Sequence, residues 1–167
     1  ESKSSDSSAV QQGWRCKCRV KVGHAGTLDP LATGLLIVLV GKMTKKQDEF
    51  MKQDKVYEVE LILGKNSTTG DDEGEKTIES DVKPDLGEVE STLESFVGEQ
   101  LQIPPLHSAI KIDGQRAYKL ARAGKTVELE PRKVKIYSIT NVHYSYPTIN
   151  FTCKVSSGTY IRSLVKD

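Results

Sequence analysis

The first block of apolar positions, Leu35-Leu36-Ile37-Val38-Leu39-Val40, lies between Gly34 and Gly41, and its shortness and β-branched content predict a buried strand rather than a helix. Thr44 is placed to cap a short polar helix reaching about Gln53, and Val56 to Leu63 then alternates towards an apolar end at Gly64, the period of a strand. Lys65 to Glu75, KNSTTGDDEGE, has the composition of a loop. Leu86, Val89, Leu93, Phe96 and Val97 recur at helical spacing, predicting an acidic amphipathic helix over 85–97 that stops at Gly98. Pro104-Pro105 blocks further helix, Ala109 to Ile112 is extended, and Gln115 to Ala123 is expected to be a helix ended by Gly124. Two long strands, Val134 to Tyr144 and Thr148 to Val155, flank Tyr146-Pro147, and Gly158-Thr159 leads into a helix from Tyr160.

Strands outnumber helices, they alternate irregularly, and no internal repeat is evident. The expected class is α+β, a mixed and mainly antiparallel sheet with helices on its faces. A chain of 167 residues suits one domain with a real core. Residues 1–12 are Ser-rich and polar, so 1–21 is expected to be a flexible tail or divergent N-terminus ahead of a domain over 22–167.

Composition narrows the function classes. The longest apolar run has six residues against the roughly 20 that span a bilayer, and no signal-peptide pattern opens the sequence, so the expected setting is the cytoplasm, an organelle address in the tail staying open. Cys16, Cys18 and Cys153 are an odd number and form no disulfide framework. Cys16, Cys18 and His24 lack a visible fourth ligand, so no metal site is expected.

Charge changes the picture more. The net charge is +1, yet Asn66 to Gln100 holds eleven acidic residues against Lys76 and Lys83, a balance of −9 that leaves +10 on the rest. A basic body with one acidic lobe is able to hold a polyanion on one face. Lys45, Lys46, Lys111, Arg116, Lys119, Arg122, Lys125, Arg132 and Lys133 belong to that body, and a solvated charged surface is the plainer reading of the same residues.

The chemistry concentrates in Gly23 to Gly34, GHAGTLDPLATG. Proline restrains the residue before it, so Asp29, between Leu28 and Pro30, sits on a stiff backbone, and the glycines permit close approach of a ligand. A turn-forming Asp explains the same loop. Downstream, Tyr57 lies early in a strand and Arg162 opens a helix in GTYIRS. A lone strand Tyr is usually core and a lone Arg usually surface, whereas an Arg beside a carboxylate keeps it ionised in a partly dry pocket.

Taken together, GHAGTLDPLATGLL, Gly41-Lys42-Met43-Thr44-Lys45, Lys55-Val56-Tyr57-Glu58-Val59, the Gly64 loop with Asp71-Asp72-Glu73-Gly74, IPPLHSAIK from Ile103 to Lys111 and GTYIRS from Gly158 to Ser163 resemble the TruB-type tRNA pseudouridine synthases, in order and in spacing, from Val22 to the end. The resemblance implies a catalytic domain over 22–167 that isomerises a uridine in the T-loop of tRNA, at position 55, as a monomer, with tRNA as partner and no cofactor, metal, membrane or protein partner. It assigns Asp29 as the essential catalytic carboxylate, Tyr57 as the base-stacking residue that helps remove the C5 proton, and Arg162 as the ion-pair partner of Asp29. His24, Gly26, Thr27, Lys45 and Tyr160 fall at substrate-binding positions, and His107 at a packing position.

Family members open with a strand and a Lys-Pro loop and continue past the Arg162 helix into a Leu-rich strand and a small RNA-binding appendage. Neither is seen here, which implies truncation at both ends and an exposed sheet edge. Three rivals stay open: a non-catalytic tRNA-binding or folding module, the guide-RNA-dependent relative, and a carboxylate glycosidase. The His24-Ala25-Gly26 spelling and the Asn66 to Gln100 insertion favour the stand-alone class, and no second acid in a comparable motif supports the glycosidase.

Overall fold

The computed structural model describes residues 20–29, 31–105, 108, 111–112, 115–116 and 129–167. They form two compact units, divided between Met51 and Lys52.

In the first unit, β1 (Val22–His24) pairs antiparallel with β2 (Val38–Val40), with Gly23 opposite Leu39. A 3-10 helix (Gly41–Lys46) then runs into α1 (Gln47–Met51). The predicted buried strand over 35–40 is thus corrected: only its last three residues are strand, Leu39 is buried, and Leu35 is 87% exposed. A two-stranded ribbon has one face to bury, and alternation turns Leu39 inwards while Val38 and Val40 face out. The helical stretch also starts earlier than the cap reading placed it. Thr44 lies inside it, donating from Oγ1 to the Gly41 carbonyl at 2.9 Å.

The second unit is built on a four-stranded sheet of β3 (Lys55–Ile62), β6 (Gly98–Gln102), β9 (Arg132–Ser145) and β10 (Thr148–Val155), in the spatial order β3-β10-β9-β6. Every ladder among the described residues is antiparallel. Along β10, Ile149, Phe151, Cys153 and Val155 are buried, and they pair across β3 with Leu61, Val59, Tyr57 and Lys55. That face carries the core, completed by Ile136 of β9, Val89 of α2 (Leu86–Ser95) and Leu164 of α3 (Ile161–Lys166). The two helices thereby cover the same sheet face. The helix expected over 85–97 is present, and its start is a capping box: Glu88 N–H donates to Asp85 Oδ1 and Asp85 N–H to Glu88 Oε2, each at 2.8 Å.

Other elements depart from the pattern reading. The loop expected over 65–75 begins as strand β4 (Lys65–Ser67), paired with β5 (Lys76–Ile78), so the loop itself is 68–75. The helix expected from Gln115 does not start there, because β8 (Gln115–Arg116) pairs antiparallel with β7 (Lys111–Ile112). The rest of that predicted helix, His107, Lys119, Arg122, Lys125 and the tail through residue 19 lie outside the described residues. Cys16 and Cys18 do too, and among the described residues no group of three or more His, Cys, Asp or Glu is placed to hold a metal. Cys153 is fully buried, and burial pushes its thiol up to about 11 against a lowering backbone hydrogen bond from Tyr57, as suits a packing residue.

Ile136, fully buried at the centre of the core, gives the stability test. Ile136→Ala is expected to destabilise the fold by about 2–5 kcal/mol in urea unfolding, since the transfer and cavity terms add. A loss under about 1 kcal/mol would mean that the surrounding side chains collapse into the space.

Candidate active site

The first unit holds Asp29 with His24, Gly26, Thr27 and Lys45. Ala25 is buried and its N–H donates to the Ile37 carbonyl at 2.9 Å, closing the base of the loop just beyond the ribbon. Gly26 then takes φ 138, a conformation that a side chain would strain. His24 closes the same turn, its Nδ1 pairing with the Gly26 carbonyl, while Gln47 Nε2 donates to the His24 carbonyl at 2.9 Å. The Asp29 carbonyl accepts from Ala32 N–H at 2.9 Å, which closes the chain after Asp29 through the backbone. Thr27, Leu28 and Asp29 are exposed. Lys45 is exposed in the last turn of the 3-10 helix.

The second unit holds Tyr57, Tyr160 and Arg162. Tyr57 lies on the core face of β3 opposite Cys153, yet it is 37% exposed because β3 ends the sheet's strand order. A strand Tyr that is part packed and part open can offer a ring face to a planar base. Tyr160 is the extended residue before α3, and Arg162 is the second residue of that helix.

Arg162 is held from the loop between β4 and β5. Its Nη1 donates to the Thr69 carbonyl at 3.0 Å and lies 3.5 Å from Asp71 Oδ2, with only 14% of the arginine side chain and 21% of the aspartate side chain exposed. Asp71 is itself fixed: its Oδ1 accepts from Thr69 Oγ1 and from Glu73 N–H. Gly70, at φ 73, lets this loop lie against the Arg162 stem, where an added Cβ would come within 3.4 Å of Arg162 Cβ. Pairing a guanidinium with a carbonyl and a fixed carboxylate holds the charge in one place at low exposure.

Asp71 lies in a family-like segment, but the sequence gives it no role. The signal lay in its motif, Thr69-Gly70-Asp71, but nothing local connects it to an arginine 91 residues later, the difference between 162 and 71.

An antiparallel sheet with helices on one face makes this a fold shared with pseudouridine synthases. A solved structure titled "Crystal Structure of a Cbf5-Nop10-Gar1 Complex" matches with a TM-score of 0.60 at 26% identity, over 87% of this chain and 34% of that one. Another, "Structure of H/ACA RNP bound to a substrate RNA containing 2'-deoxyuridine", matches with a TM-score of 0.57 at 25% identity, over 87% of this chain and 32% of that one.

The profile described as "TruB family pseudouridylate synthase (N terminal domain)" matches residues 14–161, and the chain belongs to that family. It is 48% identical over 147 residues to tRNA pseudouridine synthase B of Clostridium novyi (strain NT), across 88% of this chain and 51% of that protein. Against the protein of the same name from Burkholderia mallei (strain NCTC 10247) the identity is 43% over 163 residues, across 98% of this chain and 54% of the other. The chain therefore spans about half the length of the curated relatives it matches.

Proposed function

We propose that this protein converts uridine to pseudouridine in tRNA, at position 55 of the T-loop. The observation that carries the reading is the exposed Asp29 in the family's GTLDP segment, its carbonyl tied to Ala32 N–H. The reaction breaks the N1–C1′ glycosidic bond, turns the uracil ring and joins C1′ to C5; the C5 proton leaves to solvent and N1 takes up a proton, so the product is an isomer of the substrate. Nothing is oxidised or reduced, so the chemistry requires no redox cofactor. Asp29 acts either by adding to C1′ or by taking a sugar proton to give a glycal, and in both routes the carboxylate is released at the end.

The base must leave its stack to be turned over, and a loop yields it at lower cost than a duplex. Tyr57 supplies the stacking face, Arg162 the site's cation, and His24, Gly26, Thr27, Lys45 and Tyr160 the surrounding contacts. Exposed Lys45, Lys46, Arg132 and Lys133 neutralise phosphates, which makes tRNA affinity fall with salt. The protein acts as a cytoplasmic monomer. Among the described residues no helix is long and apolar enough to cross a membrane.

Tritium release from an unmodified tRNA transcript labelled at C5 of uridine tests the reading directly. The expected result is release from the T-loop uridine and none when position 55 is cytidine. Equal release from both transcripts would remove the T-loop assignment. Tight, salt-dependent binding without release would instead favour the RNA-binding module. Release only in the presence of a guide RNA would favour the class to which the solved ribonucleoprotein neighbours point.

A further inference from the structure

The end of β6 holds the start of α3. Gln102 is 3% exposed and pairs its carboxamide with Tyr160 in both senses: Nε2 donates to the Tyr160 carbonyl at 3.0 Å, and Tyr160 N–H donates to Oε1 at 2.8 Å. One residue on, the Ile103 carbonyl accepts from the Ser163 hydroxyl at 2.9 Å. The same Tyr160 carbonyl also receives the first helical bond, from Leu164 N–H at 3.1 Å.

A carboxamide has the donor and acceptor of a peptide group, so Gln102 pairs with Tyr160 as a neighbouring strand would. The N–H belongs to the peptide before Tyr160 and the carbonyl to the one after it. Fixing both sets the backbone angles at residue 160, and Arg162 follows two residues later. α3 has six residues and no side-chain N-cap bond, and so short a helix has little stability of its own. Its placement depends on tertiary anchors, and among the described residues this carboxamide grips the backbone close to Arg162 from both sides. Burying a Gln is unfavourable unless it is paired, and here one residue's backbone pairs both of its ends.

We propose that Gln102 is a positioning residue for Arg162: by clamping the backbone at Tyr160 it sets the guanidinium towards Thr69 and Asp71. The effect on turnover rests on the isomerase reading above, whereas the effect on Arg162 itself does not.

Two variants of the whole chain separate these. Gln102→Met keeps the length and packing but removes both bonds, and Gln102→Glu keeps an acceptor for Tyr160 N–H. The Arg162 Nε–Hε resonance, identified by its loss in Arg162→Lys, reports the side chain directly. In variants that keep the parental circular dichroism and a cooperative melt, this signal is expected to shift or broaden, more in Gln102→Met than in Gln102→Glu. Single-turnover tritium release should fall about tenfold to a hundredfold in Gln102→Met with tRNA affinity unchanged, as small misplacements of a catalytic group do. In an Arg162→Ala background, Gln102→Met should then remove nothing further.

A parental Arg162 signal in folded Gln102→Met, or losses that multiply in the double variant, would overturn the proposal. If Gln102→Met does not fold, the resonance in Gln102→Glu decides it by the same criterion. A parent chain that releases no tritium would count against the isomerase reading alone, and the Arg162 signal would still decide the positioning role.

Discussion

Asp29→Asn is expected to lower pseudouridine formation at least about a thousandfold, equivalent to about 4 kcal/mol or more of lost transition-state stabilisation. Asparagine matches aspartate in shape, and the turn it occupies is closed through the backbone, from Ala32 N–H to the residue 29 carbonyl, so the loop survives the change. On the isomerase reading, what is lost is the carboxylate's ability to add to C1′ or to take a sugar proton, which an amide does not have. Single-turnover tritium release, measured beside tRNA affinity, checks it: release should vanish while affinity stays within about threefold of the parent, a difference under 1 kcal/mol. Retained release would end the isomerase reading.

Arg162→Ala carries the next largest expected effect, a loss of about a hundredfold in turnover, or about 2.7 kcal/mol. The guanidinium spans two different acceptors, the Thr69 carbonyl at 3.0 Å and the Asp71 carboxylate at 3.5 Å, while mostly out of solvent. Alanine leaves both without that partner, so a stability loss of about 1–3 kcal/mol should accompany it. Arg162→Lys should restore only part of the rate, because an ammonium is a point charge and cannot reproduce a planar fork. Asp71→Asn should fall between parent and Arg162→Ala, since the amide still accepts a hydrogen bond but no longer carries charge. Turnover and urea unfolding of the three variants check the order. A fully active Arg162→Lys would show that charge alone matters at this position.

Where the pattern reading succeeded, a single face was buried and the phase of the side chains recorded it. β10 alternates buried and half-buried or exposed positions along its length, and its predicted limits, Thr148 to Val155, are the observed ones. The helix at Leu86–Ser95 was equally legible, with apolar residues at helical spacing and a capping box at Asp85 and Glu88. The run Leu35 to Val40 was not, since six apolar residues in a row carry no phase and only the partner β1 selects Leu39 as the buried one. β4 and β5 escaped notice because polar Lys65–Ser67 and Lys76–Ile78 are joined through backbone groups, which leave no side-chain signature.

The same division runs through the site. The local sequence by itself determined the strand that carries Tyr57 and the helix start that carries Arg162, because each depends on neighbours a few residues away. Only the tertiary structure decided which of the eleven acidic residues over 66–100 meets Arg162, and that a buried Gln102 grips Tyr160. Those pairs join residues tens of positions apart, and a hydrogen bond or ion pair at that range is specified by how the sheet and its loops pack rather than by any local periodicity.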